Sequence, residues 1–327
     1  MISTRLGILR LLADGKLHSG ADIGRKLGVS RAAVHKGVKG LSANGLGVHA
    51  IAGLGYRLDV PITPLDRRLV SRLFDASATP PQRVEILERV DSTNRHLLAR
   101  GLIDPDPCGL VCLTEVQSQG RGRQGKSWVA TPYENLMMSM AWRFDAGPAM
   151  AAGLSLAAGV AAARALETYG VPDAGLKWPN DVLWHERKLA GLLVDVHGEA
   201  SGPCTVVVGV GVNCHISAVD ARRIDQPWVD LYTITGMTPE RNRLAALLIR
   251  ELQDMFKTFA VSGLSAYQSD WNRRHLYADR PVRVSRDHAS FEGTVEGIDE
   301  HGALRLRHAD GSVRLFYSGQ VSLRSVA

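Results

Sequence analysis

The sequence predicts a multidomain α+β chain: a winged helix-turn-helix in front, a mixed-sheet α+β body, and a small all-β barrel at the end. Three observations predict it. Leucines at helical spacing and two serine caps mark three short helices, followed by a glycine-centred hairpin. In the middle, apolar strands alternate with long helices, and His185-Glu186-Arg187 closes an antiparallel hairpin, so the sheet is not purely parallel. From Arg280 the pattern changes to short alternating strands separated by glycine and aspartate turns. The boundaries expected are 1–62, 63–275 and 276–327.

Bulk properties narrow the function classes. With 327 residues, 45% of them apolar and 22% charged, the chain has the composition of an ordinary globular protein with a sizeable core. No apolar run reaches the roughly 20 residues that span a bilayer, so no membrane partner is expected. Arg5 and Arg10 interrupt the N-terminus too early for a signal peptide. Cys108, Cys112, Cys204 and Cys214 lack zinc-site spacing and read as reduced thiols of a cytoplasmic protein. Residues 1–60 hold nine Lys/Arg against three Asp, an excess equal to the +6 of the whole chain. The basic module alone is therefore expected to meet a polyanion.

The first helix spans Ser3 to Ala13, with Leu6, Leu9 and Leu12 on one face. Ser19 caps a second helix ending at Leu27, Gly28-Val29 turns, and Ser30 caps a third through Lys36 and Leu41. Val48 to Leu58 forms the wing. Ser30, Arg31, Ala32, His35 and Lys36 then face a major groove, with Lys39 and Arg57 on phosphates. The same module used for protein contacts or dimerisation is the alternative. Gly37 and Gly40 inside the third helix weaken it by about 1 kcal/mol each relative to Ala.

Val60–Pro64 reads as a linker, Leu65–Phe74 as a short helix, and Val84–Leu87 as a strand. Asp91-Ser92-Thr93-Asn94 fits both a helix N-terminus and a set of ligand contacts. Leu110–Gln117 is a strand leading into Gly120-Arg121-Gly122-Arg123-Gln124-Gly125-Lys126-Ser127-Trp128, an anion-binding loop. The loop matches both G-x-G-x-x-G and the P-loop pattern. Both require a helix directly afterwards, whereas Pro132 and the apolar strand Leu136–Trp142 follow. In a P-loop reading Asp195 would be the Walker-B acid.

A long helix is expected over 149–169, and Lys177-Trp178-Pro179-Asn180-Asp181 follows it. This cluster is either a surface turn or a site holding lysine, amide and carboxylate together. Val182–Trp184 and Lys188–Val196 pair as a hairpin, leaving Lys188 a solvated strand-end lysine or a catalytic one. Thr205–Asn213 is a buried strand whose glycines permit close approach. A loop or lid covers 216–228, helices follow at 241–261 and 264–272, and strands at 282–284, 291–295, 303–306 and 313–316 complete the pattern.

Taken together, Asp91–Asn94, Gln117, Gly120–Arg123, Lys177–Asp181 and Lys188-Leu189-Ala190-Gly191 closely resemble the biotin–protein ligases. The front module, with Ser30-Arg31-Ala32-Ala33-Val34, resembles the bifunctional group that also represses biotin synthesis, and the likeness runs through Ser322-Leu323-Arg324-Ser325. The resemblance implies a final barrel of SH3-like type and a two-step reaction. Biotin's carboxylate attacks the α-phosphate of ATP, with Mg²⁺, and a lysine of a biotin carboxyl carrier domain then takes the biotinyl group. It further implies Lys188, Arg123 and Asp181 as catalytic residues. The implied biotin contacts are Ser92, Thr93, Asn94, Gln117, Arg121, Gly122, Arg123, Lys188, Gly191 and Gly209. Those for ATP or adenylate are Arg121, Arg123, Trp128, Lys177, Asn180, Asn213 and Arg324, with no protein metal site. A DNA operator and a homodimer of the adenylate-bound form are the further partners implied. Ser127 departs from the basic residue many relatives carry before the tryptophan.

Overall fold

The computed structural model describes residues 4–73, 83–104, 106–199, 201–286, 289–317 and 321–325. Helices α1 (Thr4–Leu12), α2 (Gly20–Leu27) and α3 (Arg31–Ala43) precede strands β1 (Val48–Ile51) and β2 (Gly55–Leu58), which pair antiparallel as the wing. Both expected serine caps form: Ser19 accepts from the Asp22 N–H at 3.0 Å and Ser30 from the Ala33 N–H at 3.1 Å. The glycines that weaken α3 have a packing reason. A Cβ at Gly37 would collide with Ile8, and one at Gly40 would lie 3.0 Å from Arg5 Cδ, so α1 crosses α3 only over glycine. Ile8, Leu9, Leu12, Val34, Val38 and Leu41 fill the core, joined by Val116 and Tyr133 from the body.

The body holds α4 (Arg67–Arg72), β3 (Arg83–Val90), α5 (Thr93–Gly101), β4 (Leu110–Gln117), β5 (Leu136–Phe144) and α6 (Leu154–Tyr169). It continues through β6 (Ala174–Lys177), β7 (Asp181–Trp184), β8 (Arg187–Gly198), β9 (Cys204–Val212), α7 (Ala218–Ala221), α8 (Leu231–Thr235), α9 (Arg241–Ser262) and α10 (Ser265–Arg274). Among the described residues its sheet has seven strands in the order β3-β4-β5-β9-β8-β7-β6, with only β3 and β4 parallel. The strands alternate faces. Val206, Val208 and Val210 join the main core with α6 and α9, whereas Val207 joins Leu97 of α5 in a smaller cluster.

Several expectations need correction. The helix expected from 149 begins at Leu154, because Gly153 sits at φ 78 after a short 3-10 turn. The helix at Leu65–Phe74 is confined to Arg67–Arg72, capped by Asp66, and Phe74 lies outside the described residues. Strand β6 was not expected: Ala-Gly-Leu-Lys has weak strand propensity, and pairing with β7 forms it. Within the expected 216–228 loop lies α7, and Lys188 exchanges backbone bonds with Pro227 and Val229.

The final strands β10 (Pro281–Arg286), β11 (Ala289–Ile298), β12 (Leu304–Arg307), β13 (Val313–Phe316) and β14 (Val321–Ser325) form an antiparallel sheet ordered β13-β12-β11-β10-β14. The region expected as a barrel is thus a five-stranded antiparallel sheet among the described residues. The indole N–H of buried Trp178 donates to Gly302 O at 3.2 Å and ties it to the body.

His275 lies at that junction, stacked on Trp271 at 4.5 Å, with both ring nitrogens buried and without a hydrogen-bond partner among the described residues. Burial pushes its pKa down from 6.5 to about 4. An unfolded histidine takes up a proton below about pH 6.5. The stability from keeping the ring neutral is therefore complete above that pH and is lost as pH falls towards 4. His275→Phe is expected to remove up to about 3 kcal/mol of this acid loss. Urea midpoints of both proteins at about pH 7.5 and 4.5 check it, and equal pH sensitivity would contradict it.

Candidate active site

The glycine–arginine loop folds back on itself. Gly122 N–H donates to Lys126 O at 2.7 Å and Trp128 N–H to Gly120 O at 2.9 Å, with Arg121 and Ser127 in a bridge. A three-residue 3-10 turn, Arg123–Gly125, forms the tip, and no α-helix follows before β5. These amides close the loop on itself, so neither a P-loop nor a dinucleotide-binding turn is present. The side chains remain to do the binding.

The loop forms one wall of a cavity of about 780 Å³ above the β8–β9 end of the sheet. Ser92, Thr93, Asn94, Gln117, Arg121, Gly122, Arg123, Trp128, Lys177, Asn180, Asp181, Lys188, Gly191, Gly209 and Asn213 all line it. Every expected body residue is thus brought together. The backbone of Arg324 pairs with Arg283 in the terminal sheet, and its side chain lies outside the described residues.

At one end the polar groups form a chain. Gln117 Oε1 accepts from Thr93 N–H at 2.9 Å and from Thr93 Oγ1 at 3.1 Å. Buried Ser139 lies 2.7 Å from Thr93 Oγ1 and 2.6 Å from Asn94 Oδ1. Asn94 donates to Leu193 O and to Asp195 Oδ2, and Asp195 also pairs with Arg121 at 3.0 Å. Asp195 is therefore an anchor for Asn94 and Arg121, not a Walker-B acid. Ser92 is the N-cap of α5, as the cap reading expected, and it lines the cavity with Thr93 and Asn94. A Cβ at Gly209 would strike Asn94, which makes this glycine a seat for that amide. Sequence reasoning missed Ser139, although a lone serine within Leu136–Trp142 was a visible signal.

At the other end Lys188 Nζ lies 2.8 Å from Asp181 Oδ1, both side chains mostly buried, and 5.5 Å from the centre of the Trp128 ring. The expected hairpin delivers this pair: Asp181 opens β7 and Lys188 lies near the start of β8. Arg123 Nη1 reaches Asn180 Oδ1 at 3.4 Å. Burial pulls the Arg123 pKa down, and Asp181 opposes that shift. The Asn213 amide donates to Lys188 O and Val229 O, which fixes the backbone carrying the lysine.

Trp128 rests on two glycines that face each other in the β8–β9 register, Gly191 and Gly211. A Cβ would come within 2.9 Å of the indole at Gly191 and 2.5 Å at Gly211. The indole N–H is buried with no hydrogen-bond partner among the described residues. Gly211→Ala is expected to unseat the ring at a cost of about 1–3 kcal/mol. Tryptophan emission should shift to the red, and the shift should vanish in a Trp128→Phe background. An unchanged spectrum in Gly211→Ala would contradict this seat.

On the N-terminal module, Ser30, Arg31, Ala32, His35, Lys36, Lys39 and Arg57 are all exposed. Ser30 serves as the cap, and His35 Nδ1 lies 3.3 Å from the Tyr56 hydroxyl of the wing. Asn44, at the C-cap of α3, donates to the buried Tyr133 hydroxyl at 3.2 Å and accepts from Arg89 at 3.0 Å.

A basic winged helix thus stands before a mixed-sheet domain whose cavity pairs an ammonium with a carboxylate. Residues 4–57 match the HTH domain family, 86–213 the biotin/lipoate A/B protein ligase family, and 278–324 the biotin protein ligase C-terminal domain. The bifunctional ligase/repressor BirA of Salmonella typhimurium is 39% identical over 98% of this chain and 97% of its own length. That of Escherichia coli is 38% identical over the same shares. The solved biotin protein ligase from Aquifex aeolicus in complex with biotin and ATP superposes with a TM-score of 0.63 at 25% identity, covering 75% of this chain and all of that one. The chain belongs to the bifunctional biotin ligase/repressor family: it is a biotin–protein ligase with an N-terminal helix-turn-helix domain.

Proposed function

We propose that this cavity forms biotinyl-5′-AMP from biotin and ATP, and that the protein transfers the biotinyl group to a carrier lysine. The observation that carries the reading is the Lys188–Asp181 pair, 2.8 Å apart beneath Trp128, in the same cavity as the Thr93–Gln117 cluster. Thr93, Gln117 and Ser92 offer short-range donors and acceptors to the uncharged ureido end of biotin, with Asn94 and Gly209 shaping that end. Lys188 meets the biotin carboxylate and afterwards the phosphate, and Asp181 orients the ammonium. Bringing a carboxylate to a triphosphate opposes like charges, which Arg121, Arg123 and Lys177 offset. The unpartnered Trp128 N–H suits a phosphate or ribose acceptor over its Gly191–Gly211 seat. Gly122 and Asn180 complete the loop side, and Asn213 acts by holding the Lys188 backbone.

No group of three or more His, Cys, Asp or Glu able to hold a metal ion occurs among the described residues. Mg²⁺ would arrive on the ATP phosphates, where it would neutralise charge. The exposed basic face of α3 and the wing supports operator binding, with the domains divided near residues 62 and 275. Dimerisation of the adenylate-bound form and a cytoplasmic location belong to the same reading; no described helix is long and apolar enough to cross a membrane. Labelling of a carrier domain with biotin, lipoate and octanoate side by side tests the substrate. Biotin alone should label it with ATP and Mg²⁺ present, and preferential labelling by either other acid overturns the assignment.

A further inference from the structure

Tyr277 lies one turn beyond α10, at the entry to the terminal sheet, and nothing in the sequence singles it out. It is 4% exposed and lines the large cavity. Lys177, at the end of β6, carries its Nζ 5.9 Å from the Tyr277 ring centre. The tyrosine is held from behind. His275 stacks on Trp271 at 4.5 Å and packs at 6.0 Å from Tyr277, a neutral ring between two aromatic ones. Leu276 N–H donates to Leu176 O at 3.0 Å, and its side chain fills the space that a Cβ at Gly175 would need. A rigid aromatic support therefore crosses from the last helix to the strand that presents Lys177.

We propose that Tyr277 is a positioning residue for the nucleotide triphosphate, holding the Lys177 ammonium over its ring so that it meets phosphate oxygens in the cavity. The inference rests on the adenylation reading given above and deepens it. A lysine stem with four rotatable bonds loses entropy when fixed, and a ring face beneath the ammonium restricts it before the nucleotide arrives. The phenol ring, more than its hydroxyl, supplies this attraction. Biotin has no part in the contact, so the effect is selective for one substrate.

The test is biotin-dependent pyrophosphate release by the full chain, with ATP and biotin varied separately. Tyr277→Leu is expected to raise the KM for ATP about 5- to 20-fold and leave the KM for biotin unchanged, while Tyr277→Phe restores most of the affinity. Lys177→Met leaves the aromatic packing in place and should give the same selective rise, with no further rise when Tyr277→Leu is added. An unchanged KM for ATP in Tyr277→Leu, equal shifts for both substrates, a Phe variant as weak as Leu, or additive effects in the double variant would each overturn the proposal. Failure of the wild-type protein to release pyrophosphate with biotin, ATP and Mg²⁺ is a separate result, which overturns the adenylation reading itself.

Discussion

Lys188→Ala is expected to slow adenylate formation by about 10²- to 10³-fold, the scale on which enzymes lose rate when one charge-stabilising donor is removed from a preorganised site. The ammonium sits 2.8 Å from Asp181 and faces the Trp128 ring, in a partly buried position where charge is weakly screened. Removing it leaves Asp181 to repel both the incoming carboxylate and the triphosphate. The backbone at this position is held independently by Asn213, Pro227 and Val229, so the fold should persist. Pyrophosphate release measured beside far-UV circular dichroism separates the two. Near-normal release with an intact spectrum would return Lys188 to an ordinary strand-end lysine.

Glu115→Gln should produce the largest loss of stability. Glu115 and Arg241 pair at 2.8 Å with both side chains 2% exposed. Glu115 Oε1 also accepts from Leu65 N–H at 2.7 Å, while Arg241 donates to Thr63 O and Asn135 O. The pair therefore fastens the segment after the winged helix to the end of β4. Breaking a buried ion pair from one side leaves an uncompensated charge and costs about 3–5 kcal/mol. Several domains make one global unfolding energy ill defined, so the readout is the urea midpoint of the full chain together with amide exchange at residues 60–66. A midpoint equivalent to less than about 0.5 kcal/mol of change with unaltered exchange would contradict the account.

Local chemistry made much of this architecture legible. Ser19 and Ser30 read as caps because a hydroxyl before a helical leucine pattern has one dominant use, and both are caps. Pro132 and the apolar run after Trp128 ruled out the helix that the P-loop and dinucleotide patterns need, and the loop indeed closes on itself. What stayed hidden depends on register and on contacts distant in sequence. Gly191 and Gly211 form one seat only because β8 and β9 pair with those residues opposite each other. β6 exists through its partner β7 and the packing of Leu276 against Gly175, neither of which its own four residues disclose. Tyr277 reaches the cavity from just beyond α10, at a place no motif marks. Asp195, a Walker-B acid only under the P-loop pattern, sits within β8 with Asn94 and Arg121 as its partners.

The central claim is that one cavity activates biotin as an acyl-adenylate before any carrier is present. Incubating the protein with biotin, ATP and Mg²⁺, then analysing the bound fraction by mass spectrometry, tests it most directly. The expected result is biotinyl-5′-AMP retained by the protein, with one pyrophosphate released per adenylate and AMP appearing only when a carrier domain is added. ATP cleavage that proceeds equally without biotin, with no adenylate retained, would contradict it.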